Sequence, residues 1–210
     1  MKRLIFMVMT LISIEASACT NFIVGKKAST DGSVIVSYSA DSYGMYGNMH
    51  RHVGGKHAKG EMRKVYEWDT NKFLGEIPQA EITYNVVGQM NSNQVTITET
   101  TFGGREELVD TTGVIDYGSL IYIALERATS ARHAIKIMTE LVAEYGYYSS
   151  GESFTIADKN EAWIMEMIGK GGKEKGAVWV AIRIPDECIS AHANQSRITT
   201  FNMKDKENVM

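Results

Sequence analysis

Hydrophobic and polar positions repeat with two different periods along this chain, and the change of period divides it into three stretches. Residues 20–24 and 33–39 are two apolar, strand-like runs, and the Asp31-Gly32 pair between them is a tight-turn signal. Residues 44–62 are rich in Gly, His and Lys and read as a loop. Residues 63–68 and 82–87 are further strand candidates. Residues 95–100, "VTITET", alternate apolar with polar as a half-buried strand does, and Gly103-Gly104 breaks the run.

The period then lengthens. Asp116 can cap a helix running to about residue 128, with Leu120, Ile121, Ile123, Ala124 and Leu125 on its apolar side. Ser130 can cap a second, with Ala134, Ile135, Met138, Leu141 and Val142 at helical spacing and Gly146 as its stop. The short "ATS" connection predicts an antiparallel pair. Strand-like runs return at 153–157, 162–167 and 178–184, a meander joined by "DKNE" and "GKGGKEKG". The glycines of the second connection mimic a phosphate loop, but no helix follows, so it reads as a hairpin loop. Strands, then a helix pair, then strands predict an α+β fold with segregated elements, not a doubly wound sheet.

The length of 210 residues suggests one domain, and 44% hydrophobic residues with only two prolines suit a chain that buries a core. The first 18 residues alter that picture. Lys2 and Arg3 precede an apolar run over residues 4–14, and Ala16-Ser17-Ala18 forms a small-residue exit, so residues 1–18 read as a signal peptide. The run is too short for a stable membrane span. Of the 22 basic and 25 acidic side chains, Lys2, Arg3 and Glu15 lie in this segment, leaving 20 and 24 and a net charge of −4 on the remainder. That balance offers nothing to nucleic acid or to an anionic membrane. The expectation is a protein exported across the cytoplasmic membrane, periplasmic or extracellular, without stable membrane insertion once the leader is gone.

Cleavage after Ala18 would make Cys19 the first residue. Three readings of it are open. A terminal cysteine joins a thiol of pKa ~8.5 to an α-amine of pKa ~7.7–8.0, so nucleophile and base sit on one residue. The same cysteine could instead be acylated as a lipoprotein anchor; against this, Ala16 stands where such signals usually carry Leu, and a strand follows in place of a flexible tether. Or Cys19 falls beside a cleavage signal by coincidence. The other cysteine, Cys188, could pair with it in an oxidising compartment, but a domain of this size does not need the link. Cys188 reads better as a buried, apolar-like thiol. His50, His52 and His57 in "HRHVGGKH" lack a carboxylate or cysteine at ligand spacing and read as loop residues, not as a metal site.

Four stretches resemble one family. They are "CTNFIVGKKASTDGS" at 19–33, "GQMNSNQVTITETTFGGREEL" at 88–108, "SGESFTIADKNEAWIMEMIG" at 150–169 and "ISAHANQSRI" at 189–198. Together they are similar to the cysteine dipeptidases (dipeptidase A type) of the N-terminal-nucleophile hydrolase superfamily, relatives of the choloylglycine and penicillin V acylases. The similarity covers nearly all of residues 19–210. It implies a four-layer αββα sandwich and hydrolysis of dipeptides, with no metal or organic cofactor and a small peptide as the partner. It implies Cys19 as nucleophile with Asp41 beside it. It also matches Asn91 and Asn194 to the two active-site asparagines of the acylases, whose neutral N–H donors suit an oxyanion. Asn93 competes locally with Asn91. The family pattern usually carries Arg three residues before the aspartate; Tyr38 stands there, and Arg51 or Arg105 could supply the missing cation. Arg105 and His192 are the candidate substrate-binding residues. Family members generally run well beyond this length, so an N-terminal part of a longer domain is expected, and a homo-oligomer is compatible with the sequence. Two other functions stay open: a linear-amide acylase acting on bile salts or N-acyl amino acids, and a lipid-anchored surface binding protein.

Overall fold

The computed structural model describes residues 19–41 and 49–210. The leader read over residues 1–18 lies outside the described residues. In chain order the strands are β1 (Cys19–Val24), β2 (Ile35–Ala40), β3 (Arg51–His52), β4 (Gly55–Lys56), β5 (Met62–Tyr66), β6 (Phe73–Pro78), β7 (Ile82–Thr83), β8 (Val86–Val87), β9 (Met90–Asn91) and β10 (Thr96–Gly103). Helices α1 (Tyr117–Arg127) and α2 (Ala131–Tyr145) follow, then β11 (Gly151–Ala157), β12 (Ala162–Gly169), β13 (Ala177–Ile184) and β14 (Ile189–His192). The fold is α+β, as the order of periods predicts.

Both helices start where their caps predict. The Asp116 carboxylate accepts from the backbone N–H groups of Gly118 and Ser119, and the Ser119 hydroxyl accepts in return from the Asp116 N–H. The Ser130 hydroxyl accepts from the His133 N–H, and Gly146 ends α2 at φ 79°. The β1–β2 hairpin is fixed by Asp31, whose carboxylate takes both the N–H and the hydroxyl of Ser33, and by Gly32 at φ 79°.

Strands β13-β12-β11-β10-β9-β8-β3 form a seven-stranded sheet in that order, and β14-β1-β2 form a three-stranded one. Side chains alternate across the large sheet. Ile97, Phe154, Ile156, Trp163, Met165 and Met167 face the helices and close a core with Leu120, Ile123, Leu125, Ile135 and Met138. On the opposite face Ala157, Ala162 and Ile164 pack against Ile23 of β1. The described residues thus stack in three layers: helices, large sheet, small sheet. No helix among them is long and apolar enough to cross a membrane.

Several sequence expectations change. Residues 82–87 do not form one strand, because the Tyr84 N–H leaves the ladder for the carbonyl of Glu126 in α1. The loop expected over 44–62 contains the two short strands β3 and β4, and residues 42–48 lie outside the described set. Strands β6 and β14 were not legible. Cys188 is exposed, not buried, because the turn after β13 points it outward, its N–H bonded to the Pro185 carbonyl. Both cysteines are free.

Candidate active site

The site forms where the large sheet runs out of a neighbour. Strand β9 pairs with β10 at Thr96 alone, so the later part of β10 has an open edge. Unpaired edge carbonyls need donors. The Asn21 carboxamide donates to the Glu99 carbonyl at 2.9 Å, and the Asn194 carboxamide donates to the Thr101 carbonyl at 2.5 Å. Asn21 is fully buried, and its oxygen accepts from the Thr98 hydroxyl. These bonds seat the end of β1 on the edge of β10. Two residues before Asn21, Cys19 is therefore placed against Glu99.

Register does the rest. Asn21 pairs with Tyr38 and Cys19 with Ala40 across the hairpin, so Cys19, Asn21 and Tyr38 share the inner face of the small sheet. The Tyr38 hydroxyl donates to Glu99 Oε1 at 2.7 Å, and the Cys19 thiol lies 3.8 Å from the same oxygen. The Tyr38 hydroxyl and the Asp41 backbone also lie close to the sulfur and favour its charged form. The Cys19 backbone nitrogen donates to Asn194 Oδ1 at 2.6 Å.

Burial and the negative charge of Glu99 push the thiol up to about 11, against the stabilising bonds of Tyr38 and Asp41. No basic side chain among the described residues offsets Glu99 here. Glu99 is itself raised by burial, which its bonds to Tyr38, Glu152 and Cys19 partly counter. Glu152 is raised well above the ordinary carboxyl range by burial and by the charge on Glu99. Its Oε1 accepts from the Thr101 hydroxyl at 2.8 Å. The Oε2 atoms of both acids have no hydrogen-bond partner among the described residues, and the two carboxyls influence each other as close neighbours. Two carboxyls buried this close disfavour ionisation of both at once. Beside this pair opens a recess of about 360 Å³ whose walls include Thr101, Glu152, Asp69, Tyr117, Tyr148 and Ser150.

The sequence candidates separate into two groups. Cys19, Asp41 and Asn194 come together, with the Asp41 carboxylate accepting from the Ser39 hydroxyl at 2.9 Å. Asn91, Arg105 and His192 do not join them. Asn91 uses both N–H donors on the carbonyls of Leu125 and Ala128, and its oxygen accepts from the N–H groups of Asn93 and Val95. It ties the turn after β9 to the end of α1 and keeps no donor for an oxyanion. Asn93 donates to the same Ala128 carbonyl. Arg105 is largely exposed and paired with Glu107. His192 is 3% exposed, with Nδ1 at 2.9 Å from the Thr100 hydroxyl and Nε2 at 2.8 Å from that of Thr155. Burial, and then Arg197, lower it to about 4, so it is a neutral tie between the two sheets. Arg51 lines a separate polar groove with His52, Arg63 and Glu126.

The residues missed from sequence are Glu99, Glu152 and Asn21. Glu99 did carry a signal. In "VTITET" the apolar phase runs Val95, Ile97, Glu99, which puts a carboxylate where a core side chain is due.

A thiol, a carboxamide and two buried carboxyls thus meet at one corner of the molecule. The sequence model of peptidase family C69 matches residues 18–210. The chain belongs to peptidase family C69. Among curated relatives, this C69 chain is 28% identical to a probable dipeptidase of Latilactobacillus sakei, over 94% of its own length and 43% of the relative's. It is 28% identical to a probable dipeptidase of Salmonella dublin, over 100% and 51%. It is 27% identical to dipeptidase A of Lactobacillus helveticus, over 92% and 44%. The chain spans about half the length of the curated relatives it matches. Family C69 is the group that the four sequence stretches resemble.

Proposed function

We propose that the protein is an exported cysteine dipeptidase whose nucleophile, Cys19, becomes amino-terminal when residues 1–18 are removed. The observation that carries this reading is the 2.6 Å bond between the Cys19 nitrogen and Asn194. It grips the backbone atom of the very residue that would become terminal, in the site where its own thiol lies. Family membership and the printed names of the relatives support the dipeptide as substrate. The three stacked layers agree with part of the four-layer αββα arrangement of N-terminal-nucleophile hydrolases.

In the proposed reaction the freed α-amine of Cys19, held by Asn194, takes the thiol proton. The sulfur bonds to the scissile carbonyl carbon, and the carbonyl electron pair moves onto oxygen. Asn194 uses one N–H on Thr101, and its second is the candidate donor to that oxyanion. When the oxyanion collapses, the C–N bond breaks and the leaving amine takes the proton from the α-ammonium. Water then hydrolyses the thioester and restores the thiol.

The test is hydrolysis by a chain beginning at Cys19, measured on a dipeptide panel and a bile-salt panel. Cleavage of dipeptides that disappears in Cys19→Ala supports the reading. Cleavage of bile salts alone identifies an amide acylase instead. A mass increased by diacylglycerol on the natural amino terminus identifies a lipid anchor.

A further inference from the structure

We propose that Glu99, backed by Glu152, is the seat of the α-ammonium group of the substrate's first residue, so that the protein acts on peptides with a free amino end. The inference rests on the dipeptidase reading above and states what that site selects.

Covalent geometry gives the first argument. In any peptide the first residue's α-nitrogen lies about 2.5 Å from its own carbonyl carbon, fixed by two bond lengths and the angle at Cα. A nucleophile in position to attack that carbon stands about 3–3.5 Å away. The α-nitrogen therefore falls within roughly 3–6 Å of the attacking sulfur, whatever side chain the residue carries. Glu99 Oε1 lies 3.8 Å from the Cys19 sulfur. A carboxylate oxygen thus lies within the range of distances from the sulfur that the substrate's α-nitrogen must occupy. An acylated first residue would bring an uncharged amide to the same place.

The unmatched atoms give the second. Glu152 is 1% exposed and lines the recess, and its Oε2 has no separate donor among the described residues; Glu99 is 7% exposed with the same deficit. Native structures leave few such groups. The titratable and charged groups around the pair among the described residues are Cys19 from β1, Tyr38 from β2, Asp69 from the β5–β6 turn, Asp116 and Tyr117 at the start of α1, and Tyr147 after α2. None is basic. Lys72 meets the hydroxyl of Tyr148, a residue lining the recess, with its Nζ at 3.2 Å. An ammonium brings three donors and a positive charge to this corner.

The nucleophile gains from the same event. The negative charge of Glu99 is one cause of the raised thiol, second to burial. A cation seated on Glu99 cancels that part. The substrate thus adds positive charge of the kind that an arginine at position 38 would provide.

The experiment uses the chain beginning at Cys19 and compares a dipeptide with its N-acetyl derivative. The wild type is expected to prefer the free dipeptide by ~100-fold or more in kcat/KM, the scale of discrimination by a buried polar site. In Glu99→Gln that ratio should fall at least ~10-fold. Glu152→Gln should move it in the same direction by less, mainly through KM. If Glu99 merely accepts the thiol proton, Glu99→Gln slows both substrates equally and the ratio is unchanged, which overturns the proposal. So does a wild type that cuts both substrates equally well, a result that needs no variant to fold. If neither is cut, calorimetry on Cys19→Ala separates the two ideas. Binding of the free dipeptide but not the acetylated one keeps the ammonium seat and rejects the dipeptidase; binding of neither, or of both alike, rejects the seat.

Discussion

The two faces of the seven-stranded sheet are built from the same strands for different ends. Toward α1 and α2, Ile97, Phe154, Ile156, Trp163 and Met165 meet apolar helix residues and are fully buried. Toward the small sheet, Thr98, Thr100 and Thr155 meet Asn21 and His192 through hydrogen bonds, with only the small cluster around Ile23 between them. Apolar packing is roughly proportional to buried area and has little direction. Hydrogen bonds have direction and fail when a strand slips. The helix face therefore supplies stability, and the polar face sets where β1 lies and hence where Cys19 meets Glu99.

Substitutions on the two faces should separate accordingly. The largest effect on rate falls on the polar corner: Cys19→Ala should reduce dipeptide turnover to background while thermal unfolding stays within a few degrees of the wild type. A matched loss of folding would mean that Cys19 is a structural residue. The largest effect on stability falls on the helix face. Trp163→Ala should cost about 3–5 kcal/mol in denaturant unfolding, the range for deleting a buried aromatic side chain. A cost below about 1 kcal/mol would show that this core is not packed as described.

Asn21→Ala lies between these extremes. It strips partners from the Glu99 carbonyl and the Thr98 hydroxyl, so about 1–3 kcal/mol should be lost. Turnover should fall more than that loss alone would explain, because Cys19 no longer docks at one position. Activity that merely tracks the folded fraction would contradict the division between faces.

His192 offers a smaller effect with a definite sign. Its folded value is lowered from 6.5 to about 4, so the unfolded chain binds the extra proton between those values. Its contribution to stability is fully present above about pH 6.5 and is lost as pH falls toward 4. The raised carboxyls Glu99 and Glu152 act in the opposite direction, so the comparison to make is wild type against His192→Gln across that range. The difference in unfolding free energy should shrink as the pH drops; a difference independent of pH would place His192 in solvent. Smallest of all, Cys188→Ser should change stability by less than about 0.5 kcal/mol, as expected for an exposed side chain away from any network.

Legibility in the sequence follows the same division. The helices could be read because Asp116, Ser130 and Gly146 are local signals that the chain obeys. The core strands 153–157 and 162–167 could be read from composition. Residues 82–87 could not, because the break at Tyr84 is made by a carbonyl of α1, distant in sequence. The motif around Asn194 marked a residue that the fold brings to Cys19, through the bond to its backbone nitrogen. Asn91 was misplaced because the chemistry that suits an oxyanion, a neutral pair of N–H donors, also suits the last carbonyls of a helix, and only contacts distinguish the two. Glu99 was hidden inside a strand pattern whose phase it violates, and Glu152, some fifty residues later, becomes its partner only once β10 and β11 pair.

The central claim is that Cys19 works as a free amino-terminal nucleophile. The most direct measurement compares a chain beginning at Cys19 with one carrying an untrimmed Met before it, mass analysis confirming each terminus, on the same dipeptide. An amide nitrogen cannot take the thiol proton, so the extended chain should turn over at least ~100-fold more slowly, the scale of losing a positioned base. Equal rates would contradict the account.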